Sequence, residues 1–199
     1  MINTIFIVGM VIFALSSLYF LFVKKGSGMN TAFLVSFVTL GSYVLMWEGS
    51  YVAESLGGQP IFWTRWLFYA LSCSLLMLEI SKVKGITSTG KVAELVFLNV
   101  LVMGAGYLAA ITLGTVKWLF FILSSIAYII LIADLLKVKE AKSNWINAYI
   151  LFGWSIFPVV FFLAPTGIEV IGAAVAMGLY LVLDVYTKIV FNLQLQAKD

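Results

Sequence analysis

Seven long apolar stretches divide this chain, and each is long enough to cross a bilayer. They run approximately Ile2–Val23, Met29–Trp47, Ile61–Ser81, Val92–Leu113, Lys117–Leu136, Trp145–Leu163 and Ile168–Leu193. A spanning helix needs about 20 mostly apolar residues. At 199 residues, each helix with its loop gets roughly 28, so the expectation is one seven-helix domain over residues 1–199 with short loops. Only 11% of the residues are charged, against roughly 25% in a soluble domain, so lipid is the expected solvent. The predicted class is an all-α, multi-pass protein of the cell membrane. Met1–Val23 lacks a basic start and a small-residue cleavage site, and reads as the first span rather than a signal peptide.

The separators carry turn formers and charges: Lys24 to Gly28, Glu48 to Pro60, Lys82 to Lys91, Gly114-Thr115, Lys137 to Asn144 and Ala164 to Gly167. So few residues join the fourth and fifth spans that they must form an antiparallel hairpin. One set of loops and the tail hold Lys24, Lys25, Lys82, Lys84, Lys91, Lys137, Lys139, Lys142 and Lys198. The other set holds Lys117, with Arg65 just inside its span, and acidic Glu48, Glu54 and Glu169. Basic loops stay in the cytoplasm, so the N-terminus is expected outside and the C-terminus inside. Spread through loops, the lysines make no patch for a nucleic acid. The single cysteine, Cys73, excludes an intramolecular disulfide, and the absence of histidine removes a histidine base and a zinc motif. None of this points to an enzyme.

An ionisable residue inside a membrane is costly and marks function by default. Lys188 and Asp184 fall in the seventh span, Arg65 and Glu79 in the third. Asp134 and Glu94 lie near helix ends, where charges reach water. Asp184 and Lys188 are four apart, which puts them on one helical face about 6 Å apart along the axis. Two readings stay open on these residues alone. The pair can be a structural ion pair, of doubtful net stability because desolvation offsets attraction. Or Lys188 can form a Schiff base with an aldehyde, with Asp184 as counterion.

The run Leu183-Asp184-Val185-Tyr186-Thr187-Lys188 resembles the last helix of microbial rhodopsins, in which an Asp precedes the retinal-bearing lysine by four. Trp154-Ser155-Ile156-Phe157-Pro158 is similar to the Trp-x-x-Tyr-Pro segment of their sixth helix, with Phe157 replacing Tyr. Arg65, Ser72, Cys73 and Glu79 keep the family's third-helix spacing, and Gly104-Ala105-Gly106 is a weaker match in the fourth. The resemblance implies all-trans retinal on Lys188, with Tyr69, Trp154 and Phe157 around the polyene and Phe121 and Phe161 where Trp is common. Flat rings suit a long apolar slot. Pro158 lacks an N–H and should kink the sixth helix. By analogy the protein is a homo-oligomer, trimers being common in the family.

Within the family, outward proton pumps place an acceptor Asp three residues after the arginine; here Phe68 stands there. The triplet Phe68, Ser72 and Glu79 resembles the schizorhodopsins, inward proton pumps described mainly from Asgard archaea, and Cys73 fits that group. Offsets of 4, 7 and 11 keep the three on one helical stripe, spanning roughly 16 Å. Phe68 cannot take a proton. Asp184, a lone carboxylate beside a cation, stays ionised and is a poor acceptor. The proton is then expected to leave toward Glu79 and the cytoplasm. Glu79 either accepts it or polarises a water path, and the return comes from outside, past Arg65 and Asp184. Ala173, Ala174 and Ala176 leave no paired carboxylates for outward release. The leading expectation is therefore a light-driven inward proton pump. A photosensor signalling to a membrane partner is the alternative. A light-gated channel, a halide pump and a non-retinal transporter are weaker readings.

Overall fold

A computed structural model describes residues 1–22, 30–49, 52–54, 60–138 and 144–198. Within it, seven apolar helices of 18–24 residues stand side by side. They are α1 (Ile2–Phe22), α2 (Thr31–Glu48), α3 (Trp63–Val83), α4 (Thr89–Ile111), α5 (Gly114–Lys137), α6 (Trp145–Leu163) and α7 (Ala173–Gln196). At 1.5 Å per residue these lengths are roughly 27–36 Å, matching the roughly 30 Å hydrocarbon core. The expected all-α membrane bundle is thus what forms. Lys24, Lys25, Lys139 and Lys142 lie outside the described residues.

Sequential helices from α1 to α5 are neighbours, and α7 closes the ring by packing on α6, α1 and α2. The polarity is inverted relative to a soluble protein. Phe22, Phe97, Phe152 and Val182 are exposed, while Ser36, Thr39, Thr64, Arg65, Ser72, Asp184 and Lys188 are buried. Lipid outside, and partners for the charged groups inside, make that arrangement favourable. Local signals set the helix ends. Asn30 accepts from the Phe33 N–H at 3.1 Å as N-cap of α2, and its amide donates back to the Phe20 carbonyl, joining α1 to α2. Gly49, at φ 69°, ends α2 in the left-handed conformation. Thr112 and Leu113 join α4 to α5, the expected tight hairpin.

Three features depart from the expected layout. First, a two-stranded antiparallel ribbon precedes α3: β1 (Val52–Glu54) pairs with β2 (Pro60–Phe62), so Ile61 lies in the middle of a strand and the third helix starts at Trp63. Second, the seventh helix starts at Ala173 rather than Ile168, because the intervening segment folds back on α6. Its Ile168 and Ile171 N–H groups donate to the Phe162 and Leu163 carbonyls at 2.8 and 3.0 Å. Third, α6 and α7 each widen into a π-helical turn, Ile150–Trp154 and Val185–Val190. The first immediately precedes Pro158, whose missing N–H was expected to disturb the helix there; the second has no proline to announce it.

The loop lysines also do more than mark topology. Lys84 is fully buried, and its ammonium donates to the Val138 carbonyl at 3.1 Å and Asn147 Oδ1 at 2.7 Å. It ties the α3–α4 turn to the ends of α5 and α6. Asp134, expected as a solvated helix-end charge, is instead buried between Lys91 of α4 and Lys137, at 2.8 and 2.9 Å. Removing a buried charged donor leaves its acceptors unsatisfied, at about 1.5–3 kcal/mol per bond. Lys84→Ala is therefore expected to lower the melting temperature in detergent by several degrees. Lys82→Ala, at a side chain 67% exposed, is expected to leave it nearly unchanged. Equal effects would contradict this account of Lys84.

Candidate functional site

The two charges of α7 meet in the centre of the bundle. Lys188 Nζ lies 2.8 Å from Asp184 Oδ1, with both side chains 1% exposed. Helical spacing brought them to one face, as expected. What completes the pair comes from two other helices. Tyr43 of α2 and Tyr69 of α3 both donate to Asp184 Oδ2, at 2.8 and 2.9 Å. The Lys188 ammonium also sits 4.0 Å from the centre of the Tyr69 ring, a desolvated cation–π contact. Among the described residues, neither Nζ nor Oδ1 has a well-directed hydrogen bond. The lysine is held by charge and by the ring, with its donors left over.

Arg65 lies on the far side of the tyrosines. It donates to the Tyr69 hydroxyl at 3.3 Å and reaches the sulfurs of Met46 and Met177 at 3.5 and 3.4 Å. Its guanidinium also stacks 4.7 Å from the Tyr180 ring centre. Tyr69 thus stands between the two buried cations and touches both, and its hydroxyl serves the carboxylate they share.

Beside this pair opens an apolar cavity of about 160 Å³. A single water needs roughly 10–15 Å³ on this measure, so there is room for a sizeable molecule. All six residues expected around a polyene line it: Tyr69, Phe121, Trp154, Phe157, Pro158 and Phe161. Their packing is that of a rigid slot. Phe121 stacks on Phe161 at 5.4 Å and 10°, and Tyr69 meets Phe157 edge-on at 5.7 Å. Arg65, Cys73 and Thr187 line it too. Asp184 and Lys188 stand behind Tyr69 and Thr187 rather than in the wall itself.

The third-helix stripe does not act as one surface. Phe68 packs on α2, where a Cβ on Gly41 would lie 2.9 Å from its ring; the bare glycine admits it. Ser72 is fully buried, and its hydroxyl has no partner among the described residues, so it does not bond back to its own helix. Cys73 faces the cavity. Glu79, 21% exposed, pairs with Lys82 at 2.9 Å at the lysine-rich end of the bundle. Tyr43 was not legible as a site residue, although Ser36, Thr39 and Tyr43 recur at three and four residues along α2. That hydroxyl-bearing stripe in an apolar helix was the available signal.

Comparison with known proteins agrees with this geometry. A family model described as bacteriorhodopsin-like protein matches residues 1–197. Sensory rhodopsin III of Haloarcula marismortui is 30% identical over 161 residues, covering 71% of this chain and 68% of that protein. The solved structure of schizorhodopsin 4 superposes with a TM-score of 0.92 at 39% identity, covering 100% of both chains. Thermophilic rhodopsin from Rubrobacter xylanophilus shares the fold, with a TM-score of 0.89 at 21% identity over 99% of this chain and 95% of that one.

The buried pair makes a stability prediction that needs no cofactor. Removing one partner of a buried ion pair leaves the other charge uncompensated, at about 3–5 kcal/mol. Asp184→Asn in the cofactor-free protein should destabilise by that order in a denaturation series. Asp184→Asn combined with Lys188→Met should lose less than the sum of the two single changes. Strict additivity would mean that the pair does not interact.

Proposed function

The chain belongs to the bacteriorhodopsin-like family, whose members are light-driven pumps and sensors, and within it we propose that this protein is an inward proton pump driven by light that retinal absorbs on Lys188. The donor set suits that cofactor. An amine with unused hydrogen-bonding capacity stands next to an elongated aromatic cavity, and a carboxylate is ready to balance a cation on the nitrogen. When bound, retinal supplies visible absorption and a photoisomerisation that turns the proton on the lysine nitrogen away from its resting direction.

The observation that carries the direction is the set of partners already committed to Asp184. One oxygen faces Lys188 and the other accepts two tyrosine hydroxyls. Charge-assisted bonds of this kind are the strong ones, and a proton arriving on the carboxylate would weaken all of them. Phe68, where an outward pump keeps its acceptor, offers only a ring turned to α2. On the Arg65 side the proton therefore has no acceptor among the described residues. The opposite side, toward Glu79 and Lys82, is the lysine-rich end and so the cytoplasmic one. Glu79 is partly exposed there, placed to receive a proton or to orient water that carries it out. Arg65, with the Tyr69 hydroxyl in reach, lines the return from outside. Tyr69, Trp154, Phe157 and Phe161 would hold the polyene, with Cys73 in the same cavity wall.

The 30% identity to sensory rhodopsin III favours a second reading, a photosensor that signals to a membrane partner. Illumination of unbuffered cells carrying the protein with all-trans retinal separates the two. Inward pumping makes the medium more alkaline, and a protonophore abolishes the change; acidification would reject the direction. A coloured protein without any pH change would favour the sensor. Lys188→Ala should abolish the visible band, and a colour that survives it would reject retinal on this residue. Glu79→Gln is expected to reduce the initial transport rate at nearly unchanged colour, in line with the 10²–10⁴-fold that positioned proton-transfer groups supply at most. Unchanged transport would take Glu79 out of the pathway.

A further inference from the structure

The two π-helical turns face each other. Gly153, inside the α6 turn, brings the helices into contact: a Cβ there would lie 3.0 Å from the Tyr186 ring and 3.3 Å from Thr187 Cγ2. A widened turn shifts the regular ladder and leaves carbonyls to be satisfied from elsewhere. Two side chains take over at this point. The Asn192 amide donates to the Lys188 carbonyl at 2.6 Å. The hydroxyl of Tyr149, one residue before the α6 π turn, donates to the carbonyl of Thr187, one residue before Lys188. Tyr149 is buried, stacked on Phe191 at 4.4 Å and packed against Tyr186. Trp154, part of the cavity wall, closes the π turn that follows Tyr149. One phenol therefore holds the backbone that carries Lys188 from the helix that also carries this wall residue.

We propose that Tyr149 is the latch of the site on its cytoplasmic side, a positioning residue whose hydroxyl ties α6 to the Thr187 carbonyl at rest and lets go when the bundle opens toward the lysine-rich end. The direction of that opening rests on the inward-pump reading. The physical reason is placement. Tyr149 lies toward that end from Trp154, in one apolar cluster with Leu76, Ile146, Ile150 and Phe191. Packed apolar side chains oppose the passage of a proton or water there. Displacing the tyrosine separates the two π turns where they meet and uncovers a carbonyl next to Lys188 that can orient water. Movement of the slot wall at Trp154 reaches the latch through the one π turn that separates them in α6.

Tyr149→Phe keeps the ring and its stacking and removes only the hydroxyl, so colour and melting temperature serve as controls for folding. The first readout is infrared absorption in the dark, on protein with ¹³C-carbonyl threonine, with Thr187→Ser assigning the band by its loss. Tyr149→Phe is expected to move the Thr187 band to higher wavenumber. The second readout is recovery of the dark absorption after a flash, expected to slow about fivefold, the worth of one ordinary hydrogen bond, because closing no longer regains it. A band that stays in place, or one that moves while recovery keeps the wild-type rate, overturns the latch. Should wild-type cells not become alkaline outside while Tyr149→Phe still shows both effects, the latch stands and the inward-pump reading falls.

Discussion

Everything in this bundle is arranged around one ion pair that water does not reach. Asp184 and Lys188 are 0% and 1% exposed, and removing two such charges from water opposes folding by several kcal/mol per ion. Their mutual attraction offsets that only with additional partners in place. The partners are Tyr43 from α2 and Tyr69 from α3, both on one carboxylate oxygen. The ion pair therefore requires α2, α3 and α7 to meet at one level. In doing so it positions Tyr69 as the end wall of the aromatic slot.

The same pair gives one position of α3 its weight. Phe68 brings no charge toward Lys188 and is accommodated by Gly41 on α2. One negative charge then faces two buried cations, Lys188 and Arg65. Asp184 takes part in three interactions at once, with the Lys188 ammonium and with two tyrosine hydroxyls. In the proposed function a group held that firmly serves as counterion and not as carrier. The proposed direction then rests on which groups are already committed, more than on any one group's chemistry. The π turns extend the logic: beside Lys188, the Thr187 carbonyl takes its partner from the neighbouring helix and the Lys188 carbonyl takes Asn192 of its own.

Much of this was legible in the sequence because membranes simplify the code. Seven apolar runs and a lysine bias in alternate loops are one-dimensional signals, read without knowing any contact. The Asp184–Lys188 spacing was legible for the same reason, since four residues on a helix share a face. The aromatic set Tyr69, Phe121, Trp154, Phe157 and Phe161 followed from resemblance, and all five line one cavity together with Pro158. Less legible were irregular backbones. Ile61 and Phe62 at the end of the ribbon, and Ile168, Val170 and Ile171 in the fold-back, are as apolar as the spans they adjoin, so hydropathy ran straight through them. The π turn at Val185–Val190 has no proline or glycine to mark it.

The sequence by itself determined the class: seven spans, their order, the buried charges and the residue types that can surround an apolar cofactor. Lipid demands those features locally, and each can be checked within one helix. Only the tertiary structure decided who partners whom. Tyr43 and Tyr69 reach Asp184 across 141 and 115 residues of chain, and Tyr149 reaches Thr187 across 38. Lys84 proved a buried clamp where its loop position suggested a simple topology signal. A hydroxyl's neighbours depend on which face of its helix meets which other helix, and the periodicity of one segment carries no record of the rotation of the next.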